Sequence, residues 1–222
     1  MQKTLALPIS KLARAGWHQL SFKIMSGEST DVDKEAVNDW YKQLPNILKD
    51  FEPDDIFNMD ETGLFFKCLP NKTLADRKEK CYGWKNSKLR LSVLVGANNS
   101  GTEKLKLLII GKFRRPRCFA KNQQLPVQYC ANKKSWMTSS IFEEYIMLDL
   151  DMKFQHEKRT VLFFVDNCPA HPKNLVSKLK AIKLVFFPNN MTSKVQPMDA
   201  RIIKDVKAKY RTKIVNKLIG ID

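Results

Sequence analysis

Residues 160–172 read TVLFFVDNCPAHP. The run from Val161 to Val165 is apolar without alternation, the mark of a strand covered on both faces. It ends at one carboxylate, Asp166, and Cys168 and His171 follow within five positions. Side chains alternate along a strand, so Val161, Phe163 and Val165 share one face while Leu162, Phe164 and Asp166 share the other. A carboxylate at the end of such a strand stands where α/β sheets place their ligand sites. Three readings compete: a metal site, a nucleophile with its base, or a buried strand whose Asp caps the following turn.

Working outward, NLVSKLKA (174–181) predicts a short helix and IKLVFFP (182–188) a second buried strand. TSSIFEEYIMLDLDMKF (138–154) opens on Thr138 and Ser139, both capping types, and predicts a helix. LRLSVLVGANNSG (89–101) and EKLKLLIIGK (103–112) form a hairpin pattern around NNSG. EPDDIFNMDETG (52–63) predicts a short strand, Ile56 to Asp60, closed by Gly63. In DVDKEAVNDWYKQLPNILKD (31–50), Val32, Ala36, Val37, Trp40, Leu44, Ile47 and Leu48 recur at helical spacing. Asp31 is placed to cap that helix and Pro45 to kink or break it. From Pro197 onward, Ile203, Val206, Tyr210, Ile214 and Leu218 form a helical stripe. Residues 111–135 read as basic and irregular. A hairpin joined to alternating strands and helices predicts an α/β fold, a mixed sheet with helices packed on it. Residues 1–30 lie outside this pattern, with Gly16 and Gly27 interrupting them, and residues 31–222 form the main domain.

The chain has 222 residues, 43% hydrophobic and 10% aromatic, enough for one packed domain with or without an arm. Its net charge is +16, which favours a polyanionic partner, nucleic acid first. The charge is segregated: residues 28–61 carry −8, residues 67–121 carry +12 and residues 201–222 carry +5. Five scattered cysteines without a CxxC pair argue against a disulfide framework or a zinc module, and for a reducing compartment. No uncharged apolar run approaches the roughly 20 residues of a membrane helix, so no membrane partner is expected.

Asp60 has the same setting as Asp166, at the end of a predicted strand. Two such aspartates on neighbouring strands would share a divalent cation, and Mg²⁺ suits one or two carboxylates with room left for phosphate. A two-metal site calls for a third acidic group. After Asp166 the only acids are Asp199, Asp205 and Asp222. Asp199 stands four residues before Ile203, above the buried stripe, and is the candidate. For Cys168, packing is favoured over metal binding or nucleophilic catalysis, because no second ligand pair or oxyanion hole accompanies it. His171 is placed to touch substrate or bridge the site.

The stretches IFNMDETGL, GANNSGTEKLKLLIIGK, RPRCF, SWMTSSIFEEY, VDNCPAHP, LVFFPNNMTSKVQPMDA and KDVKAKYR resemble the DDE transposase domain of the pogo/Tigger group, within the Tc1/mariner-like superfamily. The Tigger-derived, Jerky and centromere protein B families belong to the same set. The resemblance spans roughly residues 35–215 in the family's order. It implies an RNase H-like mixed central sheet flanked by helices. It implies a catalytic and metal-binding triad of Asp60, Asp166 and Asp199, with Glu61, Asn167 and His171 as accessory candidates. It implies two Mg²⁺ or Mn²⁺ ions that serve DNA nicking and strand transfer. Two departures stand out. Family members carry Gly shortly after the third Asp, where this chain has Ala200 and Arg201. Family members also carry N-terminal helix-turn-helix domains, of which residues 1–30 resemble only a remnant.

The expected function is therefore a transposable-element-derived nuclear protein that binds DNA through a DDE core. An active Mg²⁺-dependent transposase or endonuclease and a non-functional fragment are the alternatives, so catalysis stays open. Lys85, Lys88, Arg90, Lys112, Arg114, Arg115, Arg117, Lys204 and Lys207 are the candidate DNA contacts. The run Lys112–Arg117 reads equally as a nuclear import signal. DNA is the expected partner, with a homodimer as a further expectation.

Overall fold

The computed structural model describes residues 34–67, 89–119, 124–189 and 191–220. Residues 1–30, expected to be a helix-turn-helix remnant, and Asp31, Val32, Lys85 and Lys88 lie outside the described residues. Strands β1 (Ile56–Leu64), β2 (Leu91–Asn98), β3 (Leu108–Gly111), β4 (Gln128–Ala131), β5 (Val161–Val165) and β6 (Ile182–Phe186) form one sheet in the order β4-β3-β2-β1-β5-β6. The β1–β2 and β2–β3 pairs are antiparallel, and β1–β5, β5–β6 and β3–β4 are parallel. Consequently β1, β3 and β5 all point their C-terminal ends to the same edge.

Alternation on β5 holds as the sequence predicts. Val161, Phe163 and Val165 pack with Phe57 and Met59 against helix α2 (residues 139–156). Leu162 and Phe164 pack on the other face with Trp40 and Leu44 of α1 (Lys34–Leu48) and Val195 of α3 (Thr192–Val195). Each fully buried side chain of this kind contributes roughly 1.5–3 kcal/mol. Helix α2 starts at Ser139–Glu144, widens over Tyr145–Asp151 and finishes as Met152–His156. Thr138 caps it by accepting a hydrogen bond from the Ile141 amide. The last helix, α4, begins as a wide turn at Met198–Ile202 and continues as Ile203–Ile219. Its buried Met198 and Ile203 sit on Val93 and Val95 of β2.

Several expectations are corrected. Pro45 does not break α1, which runs on to Leu48. β1 does not stop at Asp60 but continues through Gly63 to Leu64, because β2 pairs with it residue for residue over Phe57–Leu64. A Cβ at Gly63 would lie 3.1 Å from the Arg90 side chain, so the glycine makes room for that crossing rather than ending the strand. The segment 111–135 is not wholly irregular: β4 extends the sheet at its edge. Its four residues, QYCA, are all half-buried and give no periodic signal. The stripe on α4 fades with distance from the sheet, and Leu218 is exposed. NNSG does turn the chain, with Gly101 in the left-handed region at φ 75°.

The end of the sheet where β1, β5 and β6 begin is closed by polar ties. Arg159 pairs with Asp55, Glu103 and Glu157 at 2.8–3.0 Å. Buried Asp151 on α2 accepts the amides of Lys180, Ala181 and Ile182 at 3.1, 2.8 and 3.0 Å, fixing the start of β6. Cys118, Cys130 and Cys168 are free thiols. Among the described residues no helix is long and apolar enough to cross a membrane.

Candidate active site

The β1–β5 register pairs Ile56 with Leu162, Phe57 with Phe163 and Asn58 with Phe164. Asp60 stands two residues beyond Asn58 on β1, and Asp166, two beyond Phe164, is the first residue after β5. One ligand oxygen each from Asp60, Glu61 and Asp166 lies within 4.8 Å of the others. Asp60 is only 6% exposed. Burial pushes its carboxyl up to about 8, reinforced by the charges of Asp199, Glu61 and Asp166; the Glu61 amide, donating at 2.8 Å, opposes this only in part. No Lys or Arg among the described residues pairs with Asp60, Asp166 or Asp199 within 4.0 Å. Oδ1 of Asp166 is buried without a hydrogen-bond donor. A convergent set of hard oxygen donors without a Lys or Arg partner fits Mg²⁺ or Mn²⁺ and does not fit a soft-ligand metal.

Glu61 turns to the opposite face of β1, where His171 lies with its ring centroid 4.0 Å from that of Phe142 on α2. Nε2 of His171 is 2.8 Å from the Glu61 carboxylate, and Nδ1 is 3.0 Å from the Asp166 carbonyl oxygen. Nδ1 is also 2.7 Å from Oδ1 of Asp166, outside hydrogen-bond geometry. Both ring nitrogens therefore face acceptors, which the doubly protonated imidazolium satisfies with two N–H donors. Burial works against that charge, but Asp166, Cys168 and Glu61 outweigh it and raise the imidazole well above its ordinary value. With both nitrogens engaged, His171 offers no lone pair to a metal, although Asp166, Cys168 and His171 also converge within 4.8 Å. Its place is that of a buried tie between Glu61 and Asp166.

The other candidates divide. Asn167 donates to Asn189 Oδ1 at 2.5 Å and lines a cavity of about 550 Å³ with Trp40, Phe187 and Lys173, beside the carboxylates rather than among them. Asp199 is exposed and stands outside the close set, yet near enough for its charge to raise Asp60. Arg201 turns toward Asp205, with Nε 3.6 Å from its carboxylate. Arg90 is half-buried, donating to Ser92 Oγ at 3.1 Å beneath the Trp136 ring. Lys112, Arg114, Arg115 and Arg117 are exposed on the loop leaving β3, at the carboxylate edge of the sheet. Lys204 and Lys207 share a cavity of about 390 Å³ with Asp199 and Arg211.

Two functional positions escaped the sequence reading. Asn58 (7% exposed) and Gln196 (3% exposed) meet behind Asp60. Asn58 Nδ2 donates to Gln196 Oε1 at 2.6 Å and to the Phe164 carbonyl at 3.0 Å. Gln196 Nε2 donates to the Met59 carbonyl at 3.3 Å, and the Met198 amide donates to Asn58 Oδ1 at 3.1 Å. This network fastens the entry of α4, and hence Asp199, to the strand that carries Asp60. The available signal was a polar Asn inside the otherwise apolar IFNM.

The family model described as DDE superfamily endonuclease matches residues 88–221. The mouse Tigger transposable element-derived protein 4 is 44% identical over 202 residues, covering 90% of this chain and 39% of that protein. The human Tigger transposable element-derived protein 7 is 35% identical over 203 residues, covering 84% and 37%. The human major centromere autoantigen B is 31% identical over 182 residues, covering 81% and 28%. The chain thus spans less than two-fifths of each of these relatives. Among solved structures, the Mos1 mariner paired end complex with Mn aligns at a TM-score of 0.58 and 12% identity, covering 96% of this chain and 61% of that one. The shared architecture is RNase H-like. Matched by its model over more than half of its length, the chain belongs to the DDE superfamily endonuclease family.

Proposed function

We propose that this chain is a transposase-derived nuclear protein that binds DNA and retains, at Asp60, Asp166 and Asp199, a divalent-metal centre for phosphodiester cleavage. The observation that carries the reading is the convergence of Asp60 and Glu61 on β1 with Asp166 just past the end of β5, their ligand oxygens within 4.8 Å of one another. When bound there, Mg²⁺ or Mn²⁺ supplies charge stabilisation at the phosphodiester and activation of a water or 3′-hydroxyl. The chain's own residues prepare the site. Asp60 presents its oxygens from within β1 and Asp166 from the first position after β5. His171, held between Glu61 and the Asp166 carbonyl, fixes the turn that follows Asp166. Exposed cations on the β3 exit loop and on α4 stand at the same edge, suited to phosphate contacts.

A second reading, DNA binding without cleavage, draws on Asp199, which is exposed and set apart from the close carboxylates. Nicking of supercoiled plasmid in Mn²⁺ decides between them. Wild type should nick and Asp166→Asn should not; equal background from both leaves binding alone. DNA affinity should fall steeply with salt, and salt-independent binding removes the DNA role altogether.

A further inference from the structure

We infer that the corner of the molecule built around Trp136 is a docking surface for unpaired nucleotides of single-stranded DNA. The inference rests on the DNA-binding reading and specifies the form of DNA held beside the carboxylates.

Trp136 is 56% exposed. A single exposed apolar residue needs no explanation by itself, but this one is held in solvent by a fixed turn. Asn132 Oδ1 accepts the amides of Lys134 and Trp136 at 3.1 and 3.2 Å, and Asn132 Nδ2 donates to the Trp136 carbonyl at 2.5 Å. Buried Ser92 donates its hydroxyl to the Ser135 carbonyl at 2.7 Å. Ser135 itself is buried and sits at φ 55°, a left-handed conformation unfavourable to a residue with a side chain. Strain and four hydrogen bonds are thus committed to presenting an indole to water.

The ring is not alone. The Arg90 guanidinium lies 4.7 Å from its centroid and is itself tied to Ser92. Asn132 also donates its amide to Gly111 at 3.0 Å, joining the turn to the exit of β3. Two residues beyond Gly111 is Phe113, 62% exposed, with Lys112 Nζ 5.7 Å from its ring. Arg114 and Arg115 follow, exposed and without a carboxylate within 4.0 Å among the described residues. Flat rings interleaved with cations recognise a strand whose bases are free to stack and whose phosphates need countercharge. A duplex hides its base faces, so it can use the cations but not the rings.

The position suits the site. Ser92 pairs with Gly63 and Val95 with Asp60, so the platform begins three residues along β2 from the carboxylates. At about 3.4 Å per residue that is roughly 10 Å, a few nucleotides of chain. Ser139, three residues after Trp136, donates its hydroxyl to the Pro169 carbonyl in the turn that follows Asp166.

The test is fluorescence anisotropy with a labelled oligothymidine and a duplex of equal length, using the full chain in EDTA so that cleavage is silent. Trp136→Ala should weaken single-strand binding roughly ten- to a hundredfold and duplex binding less than about twofold, with Trp136→Phe retaining most of the affinity. An abasic strand should bind wild type as weakly as oligothymidine binds Trp136→Ala. Equal loss on both DNA forms, or no loss, overturns the proposal. So does a change of oligomeric state in Trp136→Ala with unaltered single-strand affinity, which assigns the ring to a protein contact. Wild type that binds duplex but not single strand sinks the platform and leaves the DNA-binding reading standing; binding to neither sinks both.

Discussion

Replacing Asp60 by Asn should stabilise the metal-free protein at neutral pH and abolish its response to divalent cations. Asp60 is 6% exposed and faces Asp166, Glu61 and Asp199. Burial and those charges hold its carboxyl at about 8, against 3.8 for the free group. The folded state therefore keeps a proton that the unfolded chain releases. Stability linked to this group is fully present below about pH 4 and is lost as pH rises toward 8. Each pH unit inside that window removes about 1.4 kcal/mol, so the step from about pH 5 to pH 7 removes about 3 kcal/mol. For a domain of this size that is roughly 6–12 °C in melting temperature. Asn is isosteric, carries no charge and still accepts the Glu61 amide. Thermal melts of both proteins at the two pH values, with and without Mn²⁺, measure the difference. Wild type should lose stability from pH 5 to pH 7 in EDTA and regain it in Mn²⁺, while Asp60→Asn should do neither. If the variant is less stable than wild type at pH 7 in EDTA, the carboxylates are not in mutual repulsion and the metal assignment falls with that premise.

Other perturbations have separate readouts. Asp151→Ala leaves three backbone amides without their acceptor, those of Ala181 and Ile182 buried; at about 1–3 kcal/mol for each unsatisfied buried donor it should lower stability by at least about 2 kcal/mol, and a urea midpoint near wild type would refute this. Gln196→Ala should reduce the Mn²⁺-induced rise in melting temperature by more than half while Asp60 and Asp166 stay in register, checked by the same melts beside Gln196→Glu. Arg201→Gly should leave the Mn²⁺ response unchanged, since the guanidinium already reaches toward Asp205; a gain in response would show that Arg201 obstructs the site. Arg211→Ala should weaken duplex binding and reduce the salt slope by about one, read from titrations at several salt concentrations.

What the sequence disclosed follows from the range of the forces involved. β5 was legible because burial on both faces writes itself as an unbroken apolar run, and alternation then assigned Asp166 to a face. The hairpin and the Thr138 cap rest on local hydrogen bonding and were equally readable. β4 was not, because an edge strand of four half-buried residues owes its existence to β3 rather than to its own composition. Gly63 misled for a similar reason: it signals a stop locally, but its missing side chain answers to Arg90, far along the chain. The partner of His171 was hidden too. Glu61 lies 110 positions away, and only the parallel pairing of β1 and β5 brings the two together.

The candidate site therefore has two parts with different mechanical origins. Asp60 lies within β1 and Asp166 directly follows β5, so the register of two central strands, over-determined by their hydrophobic faces, sets where both backbones stand. Moving either would require slipping β1 against β5 and inverting every buried side chain on one of them. Asp199 has no such guarantee. It extends from Met198, whose amide is held by Asn58, and the hold is a pair of buried amides that bond each other and three backbone groups. A buried amide network is strong while complete and costly once one member is lost. Damage to Gln196 would leave the sheet, the basic edge and the first two carboxylates in place while freeing the third. On the proposed function, DNA affinity and a weak cation site would then outlast cleavage. Plasmid nicking and the Mn²⁺ melts, run together on Gln196→Ala and Asp199→Asn, separate the two states: matching losses in both variants place the amide pair upstream of Asp199, and a loss confined to Asp199→Asn denies it that role.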